Sequence, residues 1–170
     1  MIDQLKHYTL FENKEIDSYQ LLENQGYNNE NYVIHSEEKK YILRKFIRTD
    51  VDRKFEFNVQ KLAFEKGLAS EPLLLDEENA LAISTYLEGI HKDSLEKNDL
   101  HQFAEVLKKV HTLQIENEPL LLETLLETKS KEVQDAFTSI ESFPCEYVLC
   151  YNDLNIQNKL FKDIIHLIDC

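Results

Sequence analysis

Between the apolar runs YVLC and KLF lies the polar stretch NDLNIQN, residues 152–158, which holds one Asp and three Asn. Its Asp153 and Asn158 stand five positions apart. A carboxylate and amides held at fixed spacing between two apolar runs could form a catalytic loop. The same composition also makes a plain turn whose Asx side chains bond their own backbone. Spacing alone does not separate the two readings, so the decision falls to the rest of the chain.

The 170 residues are 42% hydrophobic and carry a formal charge of −13. That apolar content supplies a core for one domain and argues against global disorder. The charge argues against nucleic acid as a partner, because a phosphate-binding surface needs clustered Lys and Arg. An acidic surface suits cationic ligands instead. Cys145, Cys150 and Cys170 show no CxxC spacing, which fits free thiols in a reducing compartment and predicts a cytoplasmic protein. No apolar run reaches membrane-spanning length, and MIDQLKHYTLFENKEID lacks the layout of a signal peptide.

The elements that must position the loop are strand-rich first and helical later. YVIHS and YILRKF read as two strands around a turn at Glu37 to Lys40. From Asp52 to Lys66, Phe55, Val59, Leu62 and Ala63 recur at helical spacing, and Gly67 supplies the stop. PLLLDEENALAISTYLEG predicts a second hairpin around DEEN that ends at Gly89. Leu100, Phe103, Ala104, Leu107 and Val110 mark an amphipathic helix over 95–113, and another is predicted from Leu120 to Ile140. Apolar strands are then expected on both sides of the polar loop. His91, His101 and His111 match no metal-ligand spacing and read as surface or lining residues.

In this order the residues carry a resemblance. CYNDLNIQN resembles the catalytic loop of the choline kinase and aminoglycoside phosphotransferase group, whose pattern is HxDxxxxN. KLFKDIIHLID resembles the short hairpin and Asp that follow it, NQGYNNENYV the nucleotide-covering loop, YILRKF the cation-bearing strand and TYLEG the hinge. The resemblance spans nearly the whole chain. It implies an α+β, protein-kinase-like fold of two lobes, a small antiparallel β lobe and an incomplete helical lobe. Residues 1–88 would form the nucleotide-binding β lobe with one helix, and 89–170 the partial helical lobe with the catalytic loop.

The resemblance further implies ATP and Mg²⁺ as cofactors and assigns roles. Asp153 would accept or orient the proton of a substrate hydroxyl. Asn158 and Asp169 would hold Mg²⁺. Arg44 would contact the nucleotide phosphates with Glu56 as its ion-pair partner, Asn28 and Asn29 would bring backbone close to the phosphates by adopting unusual φ, and Tyr86 and Leu87 would form the hinge beside the nucleotide. The activity implied is ATP-dependent phosphorylation of a small hydroxyl compound, with choline or ethanolamine favoured. The alternative is a catalytically inactive nucleotide-binding or partner-binding module.

Simpler roles stand beside these. Asp169 could cap a strand end, the basic run Arg44, Lys45, Arg48, Arg53 and Lys54 could be a solvated face, and Asp52 could serve Arg53 or Arg44. Two departures from the family pattern matter. Tyr151 stands where the group usually has His, and the sequence stops one residue after Asp169 where members continue through helices that build the acceptor pocket. A truncated member or a segment of a longer chain is therefore expected.

Overall fold

Five antiparallel strands and the helix between them organise the first half of the chain. The computed structural model describes residues 2–23, 29–48, 50–118, 130–144 and 146–168. Strands β1 (Ile16–Leu21), β2 (Asn29–Ser36), β3 (Lys39–Phe46), β4 (Pro72–Asp76) and β5 (Leu81–Thr85) form one sheet in the order β1-β2-β3-β5-β4. β2 and β3 pair in unbroken register from Asn29 opposite Phe46 to Ser36 opposite Lys39. The turn between them is only Glu37 and Glu38, tighter than the sequence suggests, and Glu37 takes a left-handed φ of 55° to close it.

Strand alternation decides what each face does. Ile34, Tyr41, Leu43, Leu81 and Ile83 point to one face and pack with Leu5 and Phe11 from the N-terminal segment. That segment comprises α1 (Ile2–Leu5) and a 3-10 turn at Thr9–Phe11. Phe11 meets Tyr41 edge to face at 5.3 Å, and the Tyr8 hydroxyl donates to Asp76 at 2.6 Å. Arg44 lies on the opposite face of β3, away from this cluster.

Helix α2 (Arg53–Glu65) starts where Asp52 accepts the Phe55 N–H at 2.9 Å. It stops at Gly67, whose φ of 70° lets Leu68 N–H reach the Ala63 carbonyl and Gly67 N–H reach that of Phe64. The second hairpin turns through Glu77 to Ala80, with Asp76 accepting the Asn79 N–H at 2.9 Å. Its strands end at Thr85 rather than at Gly89.

The second core gathers Ala63, Leu68, Ala69, Phe103, Val106, Val110, Leu113, Phe161, Ile165 and Leu167. Helix α3 (Lys97–His111) begins with the Glu96 N–H donating to Asp99 at 3.0 Å. Asp99 is buried, and its carboxyl is held below the usual range chiefly by Lys92, which donates to it at 2.7 and 2.8 Å. The buried stripe of α3 runs through Phe103, Val106 and Val110. Leu100, expected inside, is exposed, because Asp99 occupies the inward position of the first turn.

Helix α4 covers Lys131–Glu141, capped by Ser130. The earlier part of the helix predicted from Leu120 lies outside the described residues. The run before the polar loop is not the expected strand. Residues 146–155 carry no regular structure, and Tyr147 and Val148 are exposed. After the loop, β6 (Lys159–Phe161) and β7 (Ile165–Leu167) form a two-stranded antiparallel sheet.

Two backbone junctions tie this small sheet to the first half. Ile90 and Phe161 exchange hydrogen bonds at 3.0 and 2.9 Å, and the Leu167 N–H donates to the Leu68 carbonyl at 2.8 Å. Gly89 makes the first junction feasible. A Cβ there would stand 3.0 Å from Leu160 Cβ and 3.3 Å from the Phe161 carbonyl oxygen.

Candidate functional site

The polar loop folds on itself by short-range bonds. Asp153 accepts the Asn155 N–H at 3.1 Å, Asn155 accepts the Gln157 N–H at 3.1 Å, and the Asn155 carbonyl accepts the Asn158 N–H at 3.1 Å. These bonds close a 3-10 turn at Ile156–Asn158. In this respect the loop is the Asx turn that its composition allows.

It is also more than that, because the five-residue spacing brings its two chemical groups together. Asn158 donates from Nδ2 to the second oxygen of Asp153 at 2.7 Å. With the amide nitrogen committed to a carboxylate, Oδ1 is the remaining polar atom of the Asn158 side chain. A carboxylate and an amide oxygen side by side fit the donor chemistry of Mg²⁺.

Arg44 reaches this loop from the sheet. Its Nη2 donates to the Ile168 carbonyl at 2.6 Å, and the Ile168 N–H donates to the Asn158 carbonyl at 3.2 Å. A continuous path of hydrogen bonds therefore runs from Arg44 through Ile168 and Asn158 to Asp153. Lys45, of opposite parity, pairs instead with Glu30 at 3.5 Å.

Glu56 does not join the path. Among the described residues no ion pair joins it to Arg44, the partner expected for it. Glu56 is taken by Arg53, three residues earlier on the same helix, at 2.7 Å. Arg53 is itself nearly buried, with its guanidinium 4.2 Å from the Phe46 ring and bonded to the Arg48 carbonyl. Proximity along one helix face outcompetes a partner on another element.

The remaining expected residues divide as follows. Asn29 opens β2 in extended conformation, without the unusual φ foreseen for it, and its buried Oδ1 has no hydrogen-bond partner among the described residues. Asn28 and Asp169 lie outside the described residues. Tyr86 follows β5 and donates its N–H to the Lys40 carbonyl at 3.2 Å. Leu87 comes next, and Glu88 pairs with Lys40 at 3.0 Å. Tyr151 sets its hydroxyl 3.5 Å from the Asn158 carbonyl.

One residue at the loop went unforeseen. Lys159 is fully buried, donates to the Asn155 carbonyl at 2.5 Å and lies over the rings of Phe103 and Tyr151. Burial pushes its ammonium below the usual lysine range, opposed by the negative charge of Asp153. The signal in the sequence was parity, since in KLF the residues flanking Leu160 share a face and the second of them is Phe161. Among the described residues no cluster of His, Cys, Asp and Glu could hold a metal by itself, and no helix is long and apolar enough to cross a membrane.

No family model and no curated protein sequence matches the chain. Solved structures do. Choline kinase LicA from Streptococcus pneumoniae superposes with a TM-score of 0.69 at 22% identity, over 99% of this chain and 68% of its own. A choline/ethanolamine kinase family protein from Mesorhizobium loti gives 0.70 at 15% identity, over 98% and 62%. Spectinomycin phosphotransferase APH(9)-Ia, in complex with ADP and spectinomycin, gives 0.63 at 14% identity, over 98% and 68%. The chain spans about two thirds of the length of these structures. With its five-stranded antiparallel sheet, its few helices and the loop that follows them, it has the α+β protein-kinase-like fold of choline kinases, ethanolamine kinases and aminoglycoside phosphotransferases.

Proposed function

We propose that the chain carries the nucleotide and metal end of an ATP-dependent phosphotransferase acting on the hydroxyl of a small molecule, with choline or ethanolamine favoured. The observation behind this reading is the hydrogen-bonded path from Arg44 through Ile168 and Asn158 to Asp153, which joins a cation on the sheet to an oxygen-rich loop. The fold is that of proteins whose structures hold AMP or ADP.

In this reading the division near residue 88 separates a nucleotide lobe from the loop-bearing part, with Tyr86 and Leu87 beside the adenine. Asn158 Oδ1, with Asp169, would hold Mg²⁺, which supplies neutralisation of phosphate charge. Arg44 adds a fixed positive charge where the nucleotide phosphates would lie. Asp153 has one oxygen bonded to Asn158 and the other to a backbone N–H, so its carboxylate is held in one orientation. A substrate hydroxyl approaching it would be oriented, and its proton accepted, as oxygen attacks phosphorus. An acidic chain suits a cationic amine as acceptor. The free thiol of Cys150 agrees with a cytoplasmic setting.

A second reading, an inactive nucleotide-binding or partner-binding module, is favoured by one observation. Tyr151 spends its ring and hydroxyl on Lys159 and Asn158, so it serves packing at the loop.

Transfer of labelled γ-phosphate to choline, ethanolamine and spectinomycin separates the two. Transfer to either of the first two, abolished by Asp153→Asn while nucleotide binding persists, is the outcome of the first reading. Nucleotide binding with no transfer to any acceptor supports the second, and absence of nucleotide binding rejects the phosphotransferase reading.

A further inference from the structure

Lys159 opens β6 with its side chain on the same face as Phe161, and it is 0% exposed. Its ammonium sits 4.5 Å from the Phe103 ring centroid and 5.4 Å from that of Tyr151. Among the described residues no carboxylate forms an ion pair with it. A buried ammonium without a paired anion is unfavourable, and an apolar side chain of similar length usually holds a core as well or better. Two aromatic faces offset part of that cost. Core stability does not account for a lysine at this position.

The loop does. The ammonium donates at 2.5 Å to the Asn155 carbonyl, the same oxygen that accepts the Asn158 N–H at 3.1 Å and closes the 3-10 turn. The direction of that carbonyl sets where the turn delivers Asn158, and hence whether Nδ2 meets Asp153 at 2.7 Å. The loop is otherwise exposed at Asn152, Asp153, Leu154, Asn155 and Gln157. Lys159 therefore ties an exposed loop to the second core at the one carbonyl shared by turn and clamp.

We infer that Lys159 is a positioning residue, whose ammonium, held between Phe103 and Tyr151, fixes the Asn155 carbonyl and through it the Asp153–Asn158 pair. Its consequence for nucleotide binding rests on the phosphotransferase reading above, whereas its effect on the loop does not.

Two variants test it. Lys159→Met keeps length and packs on both rings without a charge, and Lys159→Arg keeps a cation for both rings and the carbonyl. Removing the ammonium leaves the Asn155 carbonyl bonded to Asn158 N–H, so Lys159→Met folds, with a thermal midpoint within about 5 °C of the parent.

Proton–nitrogen correlation spectra without nucleotide read the loop directly. The two Asn158 side-chain amide protons are well separated and exchange slowly in the parent and in Lys159→Arg. In Lys159→Met they move together and exchange like a free amide. With Mg·ATP, Lys159→Met binds about tenfold more weakly, as one displaced charge-assisted contact would cause.

If the parent binds no nucleotide, the phosphotransferase reading falls while the amide spectra still decide the clamp. Parent-like Asn158 signals in Lys159→Met overturn the proposal. So does failure of that variant to fold, which would make the lysine a stability residue, and so does a Lys159→Arg variant that behaves like Lys159→Met.

Discussion

The sheet and the segment around α4 and the polar loop are built by opposite economies of burial. In the sheet, Ile34 and Leu43 are 0% exposed, and one continuous apolar cluster joins three strands to the N-terminal segment. Beyond α3, Ile140, Phe143 and Tyr147 are 62, 68 and 70% exposed. The strands after the loop share the second core through Phe161, Ile165 and Leu167, with Tyr151 and Ile156 packed against it. The exposed polar stretch itself is held at discrete points, namely the Asn158 bond to Asp153, the Ile168 bond to the Asn158 carbonyl and the buried Lys159. Continuous packing makes Arg44 a rigid arm, because its place in β3 is fixed by register on both sides. Discrete anchoring leaves the loop dependent on individual polar contacts, so single substitutions there act on geometry more than on stability.

The largest stability effect belongs to the sheet. Leu43→Ala removes a fully buried side chain and costs about 2–5 kcal/mol, whereas Ile140→Ala, on the exposed side of α4, stays within about 0.5 kcal/mol. Urea unfolding of both variants measures the contrast, and equal losses would erase it.

The junction between the two regions comes next. Gly89→Ala drives a Cβ to 3.0 Å from Leu160 Cβ and near the Phe161 carbonyl. Neither neighbour is the far end of a flexible side chain, so the cost is about 1–3 kcal/mol. A neutral Gly89→Ala would mean that β6 is free to slide past residues 89 and 90.

The smallest effect tests how the sheet is covered. Tyr8→Phe removes the bond to Asp76 and costs about 0.5–1.5 kcal/mol at neutral pH. Burial first, and Asp76 second, push the Tyr8 hydroxyl up to about 12. The Asp76 carboxyl is held below the usual range chiefly by that same hydroxyl. A carboxyl depressed on folding contributes stability that is complete above its unfolded pKa of about 3.9, and that is lost as the pH falls through the lower folded value. The gap between parent and Tyr8→Phe therefore closes in acid, which thermal midpoints measured from pH 7 down to pH 2 will follow.

Much of the fold was legible because local signals and tertiary packing agree. The β2–β3 hairpin, the DEEN turn and the Gly67 stop all act within a few residues of themselves. The failures are tertiary. YVLC has strand composition but pairs with no strand among the described residues. Leu100 fits the helical period, yet the capping Asp99 with its Lys92 partner takes the inward position. Glu56 was expected to serve Arg44 across two elements and found Arg53 one turn away. At the loop, the five-residue spacing of Asp153 and Asn158 was visible, while the buried ammonium that anchors it was not, because composition reads a lysine as surface.

In the proposed phosphotransferase, Arg44 and Asn158 would act on one bound nucleotide in different ways. Calorimetric titration of ATP with and without Mg²⁺, in the parent, Arg44→Ala and Asn158→Ala, tests this most directly. Arg44 would contact phosphate itself, so Arg44→Ala weakens binding by about 1.5–3 kcal/mol in both conditions. Asn158 would act through the metal, so Asn158→Ala weakens binding only when Mg²⁺ is present. ATP binding that ignores Mg²⁺ and both substitutions would contradict the account and return NDLNIQN to a simple turn.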